Sequence, residues 1–284
     1  MALPLQTDRI TLFGVLNTTP DSFSDGGRFV DAGERVDVDA ASRAAEAMVE
    51  AGADIIDVGG ESTRPGSEEV PVARELARTL AVVEAIAKRL DVPISIDTRK
   101  AAVAEAALDA GASLVNDVSG LRFDPELARV VARAGAGLVL GHLRGSPVSM
   151  QRNPHFEDVL DEVGTDLARS VALAREAGVS KRALMVDPGI GFGKRLPDNL
   201  ALLARPGALR EALGLPVLIG ASRKSFLGEL TGEPVGERDP SSHVAAAIAV
   251  FAGADALRVH DVAGARKAAA VAYAMRRAQE AAAS

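Results

Sequence analysis

The chain has 284 residues, 48% of them hydrophobic but only 3% aromatic, with 32 basic against 39 acidic side chains, a net charge of −7 and no cysteine. Without cysteine there is no disulfide, thiolate metal centre or cysteine nucleophile, and four histidines (His142, His155, His243 and His260) make a structural zinc site an unlikely use of this composition. No run of Lys or Arg marks a nucleic-acid surface. The first ten residues lack the pattern of a signal peptide, and no apolar stretch reaches the length of a membrane span, so the expectation is a soluble cytoplasmic protein.

The first apolar run, residues 11–17, reads as a buried strand and passes directly into the polar, glycine-containing stretch NTTPDSFSDGG at 17–27. Seven further apolar runs follow at 54–60, 93–98, 114–117, 138–143, 184–189, 216–221 and 256–261. The phrase Ala-Gly-Ala precedes four of them, at 51, 110, 134 and 252, each time after an alanine-rich amphipathic stretch. Glycine there suits the left-handed residue that closes a helix, and Pro93 and Pro216 stop the helix at two other passages. Helical patterns lie between the runs, as at 72–90, 157–177 and 241–251, and Asp124-Pro125 has the form of an N-cap followed by proline at the first helical position.

Regular alternation of strand and helix implies parallel strands with right-handed crossovers. Eight such repeats predict an α/β fold of the (β/α)8 TIM-barrel type, with an open doubly wound sheet as the other arrangement to weigh. Polar residues end nearly every run: Asn17, Gly59-Gly60-Glu61, Asp97, Asn116-Asp117, His142, Asp187, Ser222 and His260. An open sheet gathers ligands at one switch point, whereas a barrel turns all eight strand ends to a single mouth, and that distribution favours the barrel. No linker rich in Pro, Gly or Ser interrupts the chain, so residues 1–284 are expected to form one domain, with 1–10 as a short extension closing the bottom.

The connection after the second strand, GGESTRPGSEEVP, carries Arg64 as its one fixed cation. Pro65-Gly66 alone would account for a solvated turn, but two long polar loops on one barrel face favour a lid. Asp187 opens DPGIGFGK, a glycine pattern that fits neither the dinucleotide fingerprint nor the P-loop; its carboxylate can accept from the amino edge of a pyrimidine-like ring. Asp97 ends the third strand. Alternation sends one of Asn116 and Asp117 inward, with Asn116 the expected ligand contact and Asp117 a brace for its loop. Ser222, Arg223 and Lys224 follow strand seven, and Arg258 and His260 lie along strand eight, where barrels often place phosphate. Any one of these could be an ordinary surface group, but Arg64, Lys224, Arg258 and His260 make four cationic or potentially cationic groups expected to converge in a net-acidic protein. His142 serves equally as a hydrogen-bonded barrel residue or a contact, and His155 is expected on the surface. No pair of carboxylates has acid–base spacing. The first loop lacks calcium-loop spacing, but Asn17 could give one oxygen to Mg²⁺, an ion that keeps waters and takes phosphate oxygens.

Taken together, GVLNTTPDSFSDGG, DVGGESTRPGS, SIDTRK, VNDVSG, DPGIGFGK, GASRKSFLG and RVHDV, spanning residues 14–262 in order, resemble the dihydropteroate synthase family. The resemblance implies condensation of 6-hydroxymethyl-7,8-dihydropterin diphosphate with 4-aminobenzoate to give dihydropteroate and diphosphate. On it, Asp97, Asn116, Asp187 and Lys224 hold the pterin, Arg258 and His260 the diphosphate, and Asn17 a Mg²⁺ ion. Thr63, Arg64 and Pro65 cover the aminobenzoate, with Ser222 near its carboxylate and Phe192 against its ring. Asp97, Lys224 and Arg64 carry the catalysis. The family's C–O bond ionises first, with Asp97 facing the pterin-methyl cation and the first two loops keeping water away. A homodimer through late helices is also implied. Where the family commonly has Met, this chain has Gly141, which predicts a hole or a wider pterin pocket. The other readings are a corrinoid-linked, pterin-dependent methyltransferase, which needs no diphosphate cations, and a degenerate barrel that binds without turnover.

Overall fold

The computed structural model describes residues 2–19, 29, 36–64, 66–145 and 148–282. Its strands are β1 (Thr11–Asn17), β2 (Ile55–Gly59), β3 (Ile94–Asp97), β4 (Leu114–Asp117), β5 (Gly137–Gly141), β6 (Leu184–Asp187), β7 (Leu218–Ile219) and β8 (Ala256–Val259). Between and after them run α1 (Val38–Glu50), α2 (Val72–Arg89), α3 (Ala101–Asp109), α4 (Glu126–Ala134) and α5 (Val159–Glu176), then α6 (Leu196–Leu203), α7 (Pro206–Leu213), α8 (Ser225–Thr231), α9 (Asp239–Phe251) and α10 (Val262–Ala282). Neighbouring strands pair in parallel in the order β6-β5-β4-β3-β2-β1-β8-β7, and a parallel bridge between Val186 and Val217 joins the two ends. The open-sheet alternative is thereby excluded: the eight strands form a barrel with the helices outside.

Local chemistry explains the joints. The four Ala-Gly-Ala glycines, Gly52, Gly111, Gly135 and Gly253, have φ of +102°, +114°, +63° and +110°, a left-handed turn that any Cβ would strain. At the other helix ends Asp37 accepts from the Ala40 N–H, and Asp158 from the N–H groups of Leu160 and Asp161. Asp124 does more than the sequence suggested. One of its oxygens accepts from the Glu126 N–H at the start of α4 (3.1 Å) and the other from the Ala101 N–H at the start of α3 (2.9 Å).

Alternation divides the barrel interior into levels. Phe13, Ile55, Leu114, Val139, Met185, Leu218 and Ala256 form an apolar plug at one end, and Leu3 and Leu5 of the N-terminal segment pack against it. The Leu3 N–H donates to the Arg182 carbonyl at 3.0 Å, so this segment closes the bottom as expected. Two residues further along the strands the same inward parity brings Asp57, Ser95, Asn116, Asp187 and Arg258. The barrel is therefore apolar below and polar towards its C-terminal mouth. Strand seven is shorter than the sequence implied, because Val217 gives its N–H to the Asp255 carboxylate (2.9 Å) and the chain leaves the ladder after Ile219.

Candidate active site

At the mouth, Asn17 from the end of β1, Asp97 from the end of β3 and Arg258 from β8 line a cavity of about 390 Å³. Ser222 and Lys224 from the turn after β7 close another side, with His260 just beyond β8. Thr63 and Arg64 reach it from the β2–α2 connection and Phe192 from the β6–α6 connection. Asn116 and Asp187 are not on this wall. The Asn116 amide sits 3.5 Å from Asp57 Oδ2, and Asp187 Oδ2 lies behind Gly220 and the Arg258 side chain, 3.7 Å from where a Cβ on Gly220 would stand. Pro65 and most of the first loop, 20–28, fall outside the described residues, so the lid reading of that loop lies there too.

Arg258 is the hub. Its Nε donates to Asp57 Oδ2 at 2.5 Å and its Nη2 to Asp97 Oδ2 at 2.6 Å. Burial pushes the Asp97 carboxyl up to about 7 against the pull of Arg258, with the neighbouring Asp57 adding to the rise. Lys224 lies with its ammonium 3.7 Å from the centre of the Phe192 ring, a cation–π contact. Burial, and then Arg258, lower it to about 8. Asp187 is raised by burial, and its Oδ1 accepts from the Gly189 N–H at 2.7 Å.

His260 departs from the expected set of four cations. Burial, then Arg223 and Arg258, drop it to about 3, so its ring is neutral at pH 7. The Ser222 hydroxyl accepts from the His260 backbone N–H (3.2 Å) and lies 3.0 Å from Nδ1. A hydroxyl that donates to Nδ1 leaves the ring proton on Nε2, making His260 a neutral donor. The other three expected cations, Arg64, Lys224 and Arg258, line the cavity with it, and so do Arg223 and Arg238.

Asp117 spends both oxygens on its own loop, accepting from Ser119 N–H (2.8 Å), Ser119 Oγ (2.6 Å) and Leu121 N–H (2.6 Å). His142 bridges Lys194 Nζ (2.9 Å) and Asp166 (3.2 Å), which makes it a barrel residue, and His155 is exposed. Gly141 leaves no hole. A Cβ there would lie 2.6 Å from Val118 Cα, so the β4–α4 backbone occupies the room a side chain would need.

The sequence reading passed over Asp57, which carries Arg258, and Lys194, which is buried beneath the Phe192 connection and lowered to about 7 by burial. Asp57 has a signal, a charge at inward parity in the apolar strand IIDVG; Lys194 has none. Among the described residues no three His, Cys, Asp or Glu side chains could hold a metal by themselves. Asn17 nevertheless offers an amide oxygen on the wall that also holds Arg258 and His260. That donor suits Mg²⁺, a hard ion whose remaining positions go to water and phosphate.

Residues 13–260 match the family model of pterin binding enzymes. The chain is 44% identical over 259 residues to a dihydropteroate synthase of Synechocystis sp., an alignment that covers 89% of this chain and 86% of the relative. It is 49% identical over 255 residues to a probable bifunctional folylpolyglutamate synthase/dihydropteroate synthase of Haloferax volcanii; there it covers 90% of this chain but spans only 29% of the relative's length. Its fold superposes on the Xanthomonas albilineans dihydropteroate synthase solved with 4-aminobenzoic acid, with a TM-score of 0.85 at 44% identity over 95% of this chain and 94% of that one.

Proposed function

The chain belongs to the pterin-binding enzyme family, and from that premise we propose that it is a transferase of folate biosynthesis carrying out the dihydropteroate synthase reaction. It joins 6-hydroxymethyl-7,8-dihydropterin diphosphate to 4-aminobenzoate and releases diphosphate. The observation that carries this reading is the meeting, around one cavity, of the Asp97 carboxylate with Lys224, Arg258, Arg64 and the neutral donor His260. Acids there suit a heterocycle rich in N–H groups, and the cations suit its leaving group. A corrinoid-linked methyltransferase shares the first need and lacks the second.

In the mechanism, Asp97 accepts from the pterin N–H groups while Lys224 donates to the ring, and Asn116 and Asp187, which are off the cavity wall, accept only from a ring that enters past it. Asp97 and Arg258 neutralise each other at 2.6 Å; substrate exchanges those partners, ring N–H groups for Arg258 at Asp97 and phosphate oxygens for Asp97 at Arg258. Asp57 keeps Arg258 anchored through Nε during the exchange. His260 donates from Nε2 to a phosphate oxygen. Asn17 would be the protein's ligand to a Mg²⁺ ion, which when bound would add charge neutralisation at the diphosphate. The C–O bond to the pterin methylene then breaks with both electrons leaving on diphosphate, and Asp97 stabilises the cation left behind. The aniline nitrogen of 4-aminobenzoate attacks that carbon, and the proton it sheds goes to the departing diphosphate or to water. Thr63, Arg64 and Pro65 cover the aminobenzoate, Phe192 packs on its ring and Ser222 stands near its carboxylate.

The protein works in this reading as one barrel unit in the cytoplasm and as a homodimer. Exposed Val244, Ile248 and Phe251 on α9, with Val271 and Met275 on α10, supply the apolar face for the second copy. A coupled assay of diphosphate release tests the reaction. Release is expected only when the pterin diphosphate, 4-aminobenzoate and Mg²⁺ are all present; no release, or methyl transfer from methyltetrahydrofolate to a corrinoid, overturns it.

A further inference from the structure

A buried ionic cluster that reaches the cavity wall through Glu61 is given no role in this chemistry. Glu61 is the second residue after β2, at the start of the connection that carries Thr63 and Arg64, and its side chain is only 4% exposed. Its Oε1 accepts from the backbone N–H of Val70 at 2.8 Å, nine residues further on and one before Pro71, where α2 is about to begin. One carboxylate thus spans the neck of the whole connection. The same group meets two cations: Arg99 Nε lies 3.1 Å and Lys100 Nζ 3.0 Å from Oε2, and Arg99 Nη2 is 3.2 Å from Oε1.

Both cations are fixed from other sides. Arg99 stacks 4.0 Å from the centre of the Phe123 ring, and Lys100 makes a second ion pair, at 2.5 Å, with Glu75 on α2. Burial alone would raise the Glu61 carboxyl, yet Arg99, the Val70 N–H and Lys100 together hold it below the usual carboxylate range. Arg99 and Lys100 follow Asp97 by two and three residues. Within the connection Ser67 turns back on Arg64, its N–H and Oγ both donating to the Arg64 carbonyl at 3.0 and 2.8 Å.

We propose that Glu61 is a positioning residue that ties the neck of the β2–α2 connection to the end of β3 and so sets Thr63 and Arg64 at a fixed distance from Asp97. The proposal rests on the synthase reading, in which Thr63 and Arg64 cover 4-aminobenzoate while Asp97 holds the pterin. Lost anchoring therefore weakens use of 4-aminobenzoate and spares the pterin side.

Two variants separate the parts of the tie. Glu61→Gln keeps an acceptor but turns an amide towards Arg99 and Lys100, whereas Val70→Pro removes the N–H that closes the neck and leaves the Glu61 carboxylate with both cations. For each, steady-state kinetics for both substrates are paired with amide hydrogen exchange of residues 61–70. Both variants are expected to raise KM for 4-aminobenzoate about tenfold, with kcat and KM for the pterin diphosphate within about threefold of the parent, and to speed exchange in the segment about tenfold. Unchanged exchange, unchanged KM for 4-aminobenzoate, or an equal loss across both substrates and kcat overturns the proposal. If the parent protein fails to use 4-aminobenzoate at all, the synthase reading has failed, and the exchange measurement still decides whether Glu61 holds the neck.

Discussion

Arg258 and Asp97 partner each other in the structure and take other partners in the proposed reaction, and that double commitment sets the expected pH dependence. Asp97 must be ionised to face a cation, and its carboxyl lies near 7, so activity falls as the pH drops through about 7. Lys224 must be charged to donate, and its ammonium lies near 8, so activity falls again as the pH rises through about 8. The pH profile of kcat/KM is therefore expected to be a narrow bell. Lys224→Arg should move only the alkaline limb, upwards, because guanidinium does not titrate in that range. Asp97→Asn should lower kcat by about 100-fold or more while pterin diphosphate binds within about threefold of the parent, measured by calorimetry. Equal losses in both would make Asp97 a binding group only. At this scale the sequence was legible where a strand's end fixed a direction: Asn17, Asp97 and Arg258 share the inward parity and, with His260 just past β8, line the cavity, whereas Asn116 and Asp187 share that parity and do not. The charge on His260 was not legible, since it depends on burial and on Arg223, a neighbour that only the fold supplies.

Among the elements, the Ala-Gly-Ala joints were readable because a single left-handed residue is a local requirement. The connection between β4 and α4 was not. Its backbone lies against Gly141, with the Gly120 Cβ position only 2.4 Å from the Gly141 carbonyl oxygen. A glycine of this connection and one at the end of β5 thus permit one close approach, a pairing across the fold that no local pattern announces. Gly141→Ala is accordingly expected to destabilise by about 1–3 kcal/mol, from overpacking against Val118. Chemical denaturation reads this as a lower midpoint, and an unchanged midpoint would mean that the loop yields freely. Strand seven teaches the same lesson. Its apolar run 216–221 is long enough for a full strand, but the Asp255 carboxylate takes the Val217 N–H, and the chain turns away to present Ser222 and Lys224.

For the whole molecule, an apolar plug under a polar mouth explains how a net-acidic chain can hold a diphosphate: a few placed cations, shielded by the barrel wall, replace an overall field. The outer face of α9 and α10 carries exposed Val244, Ile248, Phe251, Val271 and Met275, the apolar face that the proposed dimer would cover. Ile248→Glu, at a position 48% exposed, should shift the protein from dimer to monomer in sedimentation velocity without lowering its thermal midpoint by more than a few degrees. The most direct test of the account follows an isotope. Pterin diphosphate carrying ¹⁸O in the oxygen that bridges carbon and phosphorus is held on the enzyme with Mg²⁺ and no 4-aminobenzoate, and ³¹P NMR follows the label. Reversible loss of diphosphate predicts that the label spreads from the bridging to the non-bridging positions. A label that stays in place, on enzyme that makes dihydropteroate once 4-aminobenzoate is added, would contradict a cation held by Asp97.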